Sequence, residues 1–281
     1  MHPPTELALQ SSILGDISET SVQRIVRDIE TIGFHVFDRR LPEKTIRSLY
    51  EFAEAVPSEP ISESSKTAVG EKTRTPYRKH TMQSPRYDIA QADILKGSVV
   101  QQLLMDPGLQ RVAQSFLRCS PILDLIAMWW SRPFDGNARS EAAQLFHFDM
   151  DRIKFLKFFF YLTDVTPATG PHCYVRGSSK RKPAVILRDG RIPDEEIYRY
   201  YSSEAVIEIC GEAGSIIAVD TRGWHKGKPP DAGERLILQF EYTNSMFGQN
   251  YPKAAFPKDA SPQFHEFVRA HPRMFEGIID F

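Results

Sequence analysis

The chain has 281 residues, 41% hydrophobic and 25% charged, enough apolar material for a sizeable core in one large β domain with helical additions. Its 35 Lys and Arg against 36 Asp and Glu leave a formal net charge of -1, so no global field draws it to nucleic acid. Three cysteines without CxxC spacing, Cys119, Cys173 and Cys210, exclude a cysteine-rich zinc module and fit a reducing compartment. No stretch approaches the ~20 apolar residues of a membrane span, and MHPPTELALQSS lacks the pattern of a secretory signal. The expectation is a soluble, cytoplasmic protein with no membrane or nucleic-acid partner.

Residues 18–32, SETSVQRIVRDIETI, space Val22, Ile25, Val26, Ile29 and Ile32 along one face of a helix. Ser18 or Thr20 suits its N-cap and Gly33 its end. Phe34 to Phe37 reads as a short strand, and a second helix runs from Pro42 to Val56 with Leu49, Phe52 and Ala53 inward. Both helices are expected to buttress a sheet. Pro57 to Tyr87 is polar, carries no sustained apolar period, and holds Lys66, Lys72, Arg74, Arg78, Lys79 and Arg86. Such a loop is either a lid whose basic residues meet an anionic substrate or a solvated surface segment. Residues 98–117 read as helix broken near Pro107-Gly108.

After Cys119 the texture changes. ILDLIAMWWS (122–131), FHFDMDRIKFLKFFFYLTD (146–164), AVIEIC (205–210), GSIIAVD (214–220) and RLILQFEYT (235–243) are β-rich runs separated by Gly, Pro and Asp. No helix of βαβ length intervenes, so the expected fold is an antiparallel all-β core with flanking helices. One domain over 1–281 is expected: a helical buttress to about 118, a core at about 119–245, and an extension from 246 that packs over the sheet.

If residues 146–150 form a strand, His147 and Asp149 project from one face. Charged groups at the entrance of an apolar run such as 155–162 are costly unless paired. AVDTRGWHKG supplies a second histidine, His225, after another β run. Two histidines and one carboxylate with open positions suit non-haem Fe(II), and the metal would be the missing partner. Asp151 lies too far along a strand to compete as ligand. Ten residues past His225, Arg235 opens an apolar strand, where its planar fork calls for an anion, with a carboxylate the best match. Lys157 and Tyr161 share one face of the next strand and are candidates to reach a bound co-substrate. Trp129 and Trp130 point to opposite faces, and Trp130 is named as the further candidate contact. His172 follows Gly170-Pro171 and is read either as facing the cavity or, the favoured reading, as a non-ligand histidine satisfied by local hydrogen bonds.

These residues resemble the phytanoyl-CoA dioxygenase family of Fe(II)/2-oxoglutarate-dependent oxygenases, and the resemblance covers most of the chain. HFD carries the His-x-Asp pair, GWHKG the distal histidine, and Arg235 the arginine for the far carboxylate of 2-oxoglutarate. TDVTPATGPHCYVRGSSK resembles the family's stretch ending in a Pro-Gly-Ser-His-like turn, with Arg176 and Ser179 where proline and histidine usually stand. Gly227 stands where some members place a hydroxyl near oxoglutarate. The resemblance implies a double-stranded β-helix, the cupin-like jelly roll. It implies Fe(II) held by His147, Asp149 and His225, with 2-oxoglutarate, O2 and a small-molecule substrate. The implied reaction is hydroxylation of an unactivated C–H bond with release of succinate and CO2. The same residues would also serve a cupin-type metalloenzyme that does not use 2-oxoglutarate, or a non-catalytic metal-binding barrel.

Overall fold

In the computed structural model, which describes residues 3–4, 11–61, 74–79, 84–134, 139–140, 142–188 and 190–281, the first helix forms where the apolar spacing places it. The Ser18 side chain accepts from the Ser21 N–H at the start of α1 (Glu19–Ile32), and Val22, Ile25 and Ile29 are buried. Gly33 ends the helix at φ 100°, and its N–H donates to the Ile29 carbonyl. Only glycine fits there, because a Cβ would run into the Tyr174 ring. The chain enters β1 (Phe34–Val36) and then α2 (Glu43–Ala55), which buries Leu49 and Ala53.

Short strands β2 (Pro57–Pro60), β3 (Thr75–Pro76) and β4 (Arg86–Ile89) follow, then helices α3 (Gln91–Ile94), α4 (Ser98–Leu104) and α5 (Pro107–Leu117). The segment expected as one polar loop therefore contains strands. PSEP and TP have no apolar period, and they become strands by pairing outward from β4. Of the basic residues in that segment, Lys66 and Lys72 lie outside the described residues. Arg74 pairs with Glu59 at 2.9 Å and also with Asp93, and Lys79 lies 3.6 Å from Glu234. The region before residue 119 is thus a helical layer that also supplies four strands.

The core strands are β5 (Ile122–Ser131), β6 (Phe155–Tyr161), β7 (His172–Val175), β8 (Val206–Ile209), β9 (Ile216–Val219), β10 (His225–Gly227) and β11 (Arg235–Thr243), with α6 (Asp194–Tyr198) between β7 and β8. The tail holds β12 (Ala254–Ala255), α7 (Pro262–Ala270), α8 (Pro272–Phe275) and β13 (Ile279–Asp280). An eight-stranded antiparallel sheet runs β1-β9-β6-β11-β5-β4-β2-β3, and a three-stranded sheet runs β10-β7-β8. The two sheets make a jelly roll with flanking helices, as expected. No helix among the described residues is long and apolar enough to cross a membrane.

Alternation along the strands decides what each face meets. Trp130, Phe158, Phe160, Leu236, Leu238 and Phe240 join one cluster with Val22, Leu49, Leu109 and Phe116 of the helices. Trp129, Phe159, Tyr161 and Ile237 join Tyr174 and Ile209 of the small sheet in a second cluster. All seven residues of β6 are buried because both of its faces are covered. Its continuous apolar run, with only Lys157 breaking it, follows from that position.

One ion pair ties the loop before β6 to the strand two places away. Arg152 Nε and Nη2 each donate to Asp124 at 2.7 Å, and Nη1 donates to the Met246 carbonyl at 2.7 Å. The register between β5 and β11 steps here, with Glu241 opposite Leu125 and Tyr242 opposite Leu123, so Asp124 has no residue across from it. Both side chains are almost wholly buried. Asp124→Asn or Arg152→Met should destabilise the fold by about 3–5 kcal/mol, because each strands a buried charge. The double variant should lose clearly less, as read by urea unfolding, and an additive loss would contradict the pairing.

Candidate functional site

Residues 146–150 are not a regular strand, contrary to the expectation. They pair piecemeal with three segments: Phe146 with Ile192, His147 with His225, and the Asp149 N–H with the Thr221 carbonyl at 2.9 Å. The His147 N–H donates to the His225 carbonyl at 3.0 Å, and the His225 N–H returns the bond at 2.8 Å. This reciprocal bridge sets the two imidazoles side by side, ring centroids 4.2 Å apart. Asp149 faces both, with Oδ1 3.7 Å from His147 Nε2 and Oδ2 3.6 Å from His225 Nε2. One ligand atom from each residue lies within 4.8 Å of the others.

Both imidazoles are engaged at Nδ1 from behind. His225 Nδ1–H donates to the Gly223 carbonyl at 2.9 Å, which leaves the Nε2 lone pair facing Asp149. His147 Nδ1 has the Leu145 carbonyl at 2.9 Å and Arg191 Nη1 at 2.8 Å, so its tautomer follows whichever neighbour it serves. Burial lowers His147 to about 4 against the pull of Asp149, and burial beside His147 holds His225 well below its ordinary value. Both rings are therefore neutral, as metal ligation requires. Burial opposes the charge on Asp149, but Lys157, by its charge and its hydrogen bond, holds the carboxyl well below the usual range.

Lys157 is buried at the cavity wall. Its Nζ donates to Asp149 Oδ2 at 2.7 Å and lies 3.2 Å from Glu241 and 3.9 Å from Asp151. Glu241 stands directly opposite it in the β6–β11 register. Burial disfavours the ammonium, yet Asp149, Glu241 and Asp151 keep Lys157 charged well above its ordinary value. Three carboxylates around one ammonium leave negative charge beside the two neutral rings, which favours a cation there. Burial pushes Glu241 up to about 7, against Lys157, and neither of its oxygens has a hydrogen-bond partner.

A cavity of about 240 Å³ runs from this cluster to Arg235, walled by Trp129, Phe159 and Ile237. Arg235 is 5% exposed; its Nη2 donates to Ser131 Oγ at 3.3 Å, while Nε and Nη1 have no partner. Burial lowers its guanidinium to about 10, still cationic at neutral pH. Arg86, Ser131 and Arg235 lie in one register row across β4, β5 and β11. Arg86 also lines the cavity, with its guanidinium 4.5 Å above the Trp129 ring. Arg86 is paired with Asp88 at 2.7 Å, whereas the buried Arg235 has nitrogens lacking an acceptor, which points to an anionic ligand. One end of the cavity thus fits a metal ion and the other a carboxylate.

His147, Asp149, His225 and Arg235, named from the sequence, meet in this one cavity, and Lys157 lines it while committed to carboxylates. Tyr161 does not line it: its hydroxyl donates to the Ile209 carbonyl at 2.7 Å between the sheets. Trp130 is corrected as well. It faces the helices and stacks on Tyr77 at 4.3 Å, whereas its neighbour Trp129 takes the cavity wall. Ser131 and Glu241 carry no sequence signal as site residues, and His172, expected to be satisfied by local hydrogen bonds, lines the cavity with its Nε2 unpartnered. Parity from Arg235 along β11 and across to β5 would have pointed to Glu241 and Ser131 once the register was known. The turn that departs from the usual Pro-Gly-Ser-His keeps a supporting part: Ser178 Oγ accepts from the Trp224 N–H at 2.7 Å, next to His225.

A jelly roll whose cavity joins a two-histidine, one-carboxylate cluster to a buried arginine defines a class of metal-site proteins. Within it, the sequence pattern of phytanoyl-CoA dioxygenase (PhyH) matches residues 29–232, well over half of the chain, and the chain belongs to that family. No curated protein sequence matches significantly. Similar solved structures include SnoK, described as a non-heme alpha ketoglutarate dependent carbocyclase from nogalamycin biosynthesis. It has a TM-score of 0.57 and 16% identity, over 92% of this chain and 93% of that one. The epimerase SnoN of the same pathway gives 0.56 and 14%, over 80% and 84%. HygX from Streptomyces hygroscopicus, solved with nickel, 2-oxoglutarate and hygromycin B bound, gives 0.55 and 14%, over 86% and 93%. At these identities the likeness is one of fold.

The position of Glu241 generates a pH dependence. Its folded-state value is raised from 4.5 to about 7, so its contribution favours the fold at low pH and is lost as pH rises through that window. In metal-free protein, Glu241→Gln should gain stability over the parent at about pH 8 but not at about pH 5. Urea unfolding at both values checks this, and a difference independent of pH would contradict it.

Proposed function

We propose that this chain is a non-haem Fe(II)- and 2-oxoglutarate-dependent oxygenase that hydroxylates an unactivated C–H bond of a small metabolite or biosynthetic intermediate. The observation that carries the reading is the meeting, in one cavity, of a His147/Asp149/His225 cluster and a buried arginine with two unpartnered nitrogens. Residues 1–281 act in this reading as one oxygenase domain, and O2 and a small molecule are its partners.

His147, Asp149 and His225 would hold the iron, with two neutral donors and one anion leaving it a net positive charge that suits an anionic chelating co-substrate. Bound iron supplies the activation of O2, and oxidative decarboxylation of 2-oxoglutarate to succinate and CO2 supplies the electrons that insertion of one oxygen atom leaves outstanding. Lys157 holds Asp149 ionised and fixes one of its oxygens. Arg235 receives the far carboxylate and so sets the direction in which the co-substrate lies. Trp129, Phe159 and Ile237 keep that part of the cavity dry, which strengthens the pairing. Gly227, beside Arg235 Nη2, offers no hydroxyl; the Ser131 hydroxyl accepts from that same nitrogen.

The structural neighbours SnoK and SnoN are described as a carbocyclase and an epimerase, so the outcome at the substrate carbon is read from the product. With a turned-over substrate, hydroxylation should add one oxygen atom originating from isotope-labelled O2, with one succinate per product. Loss of two hydrogens, or no change in mass, would replace hydroxylation by desaturation, cyclisation or epimerisation. Arg235→Met should raise the oxoglutarate KM by about 30-fold or more, as expected for truncating one side of a buried charge pair. An unchanged KM would remove the assignment of Arg235.

A further inference from the structure

His172 is 7% exposed, lines the cavity, and its Nε2 has no hydrogen-bond partner. A buried polar nitrogen left unpaired in a folded protein calls for an acceptor or donor that arrives with a ligand. Three nitrogens in this cavity share that state: Arg235 Nε, Arg235 Nη1 and His172 Nε2. Among the described residues lining the cavity, Asp149 is the one acidic group, and it faces Lys157 and the two other histidines. No group of the chain meets Arg235 Nε, Arg235 Nη1 or His172 Nε2, so a ligand that brings its own acceptor would satisfy all three.

The position of His172 says which part of a ligand it meets. Its ring lies against His225, with centroids 5.3 Å apart and planes at 25°, and against Phe159 at 5.0 Å. Across the β7–β10 ladder it pairs with Gly227. A Cβ on Gly227 would stand 3.4 Å from Arg235 Nη2, so the guanidinium reaches the backbone opposite His172. His172 thus stands on the wall beside the metal cluster and within reach of the arginine end. It is not grouped with the three candidate ligands. A carboxylate has lone pairs for several donors at once and accepts from an arginine fork together with an imidazole N–H.

We propose that His172 donates from Nε2 to the far carboxylate of a bound keto acid and, with Arg235, selects a dicarboxylate over a monocarboxylate. The inference rests on reading the cavity as an oxoglutarate site. In that role His172 is a specificity-determining residue for the co-substrate and makes no bond to the metal.

The test uses the full chain loaded with Ni(II), with oxoglutarate and 2-oxopentanoate titrated calorimetrically into the parent, His172→Leu and His172→Gln. The second acid keeps the chain length and lacks the far carboxylate. His172→Leu should lose about ten-fold or more in oxoglutarate affinity, as for a hydrogen bond to a charged group, with 2-oxopentanoate affinity and Ni(II) affinity unchanged. His172→Gln, which keeps a donor, should recover much of the loss. Equal weakening of both acids, a weakened metal site, or no loss for oxoglutarate would each overturn the proposal. If His172→Leu does not fold, His172→Phe preserves the ring contacts and carries the same comparison. A nickel-loaded parent that binds no oxoglutarate would overturn the co-substrate reading itself, and this inference with it.

Discussion

An ionised carboxylate survives inside a protein only among compensating charges, and the interior of this jelly roll is arranged around one such group. Asp149 is wedged between two neutral imidazoles and the ammonium of Lys157. Lys157 in turn needs more than Asp149, and Glu241 faces it directly from β11. Each of these residues would be unfavourable alone at the same depth. Together they form a network whose unmet charge lies beside two Nε2 atoms, a composition that suits a divalent ion.

The sheet positions this network through period-two alternation. Lys157, Phe159, Arg235, Ile237 and Glu241 occupy the inward parity of adjacent strands, while Phe158, Phe160, Leu236 and Phe240 lie against the helices. The cavity therefore has charged groups at its two ends and an apolar wall between them. Opposite polarity at the ends, anionic near Asp149 and cationic near Arg235, would orient a ligand whose two ends differ. The backbone bridge between His147 and His225 is the other half of the device, since it sets the spacing of the rings without relying on side-chain contacts.

Much of this was legible in the sequence because it follows from local pattern. β5, β6, β9 and β11 announce themselves as apolar runs too dense for one covered face. His147 and Asp149 share a direction by their spacing, and they do so although residues 146–150 form bridges and not a strand. What stayed hidden depends on pairing between distant segments. β2 and β3 carry no periodic signal and exist because β4 offers them an edge. Alternation separates Trp129 from Trp130 but does not say which faces inward, since that depends on the absolute face of β5. Tyr161 has the inward parity, yet it lies where the two sheets close on one another, beyond the end of the cavity. Ser131 and Glu241 have no motif around them, and only the cross-strand register shows their place.

The central claim is that the His147/Asp149/His225 cluster and the Arg235 end of the cavity hold a metal ion and a keto acid together. The most direct test is anaerobic addition of Fe(II) and then 2-oxoglutarate to the parent and to His225→Ala, with the visible absorption spectrum recorded at each step. The account expects a weak metal-to-ligand charge-transfer band in the parent, requiring both additions, and none in His225→Ala. Iron bound by the parent without any such band, or a band that survives loss of His225, would contradict it.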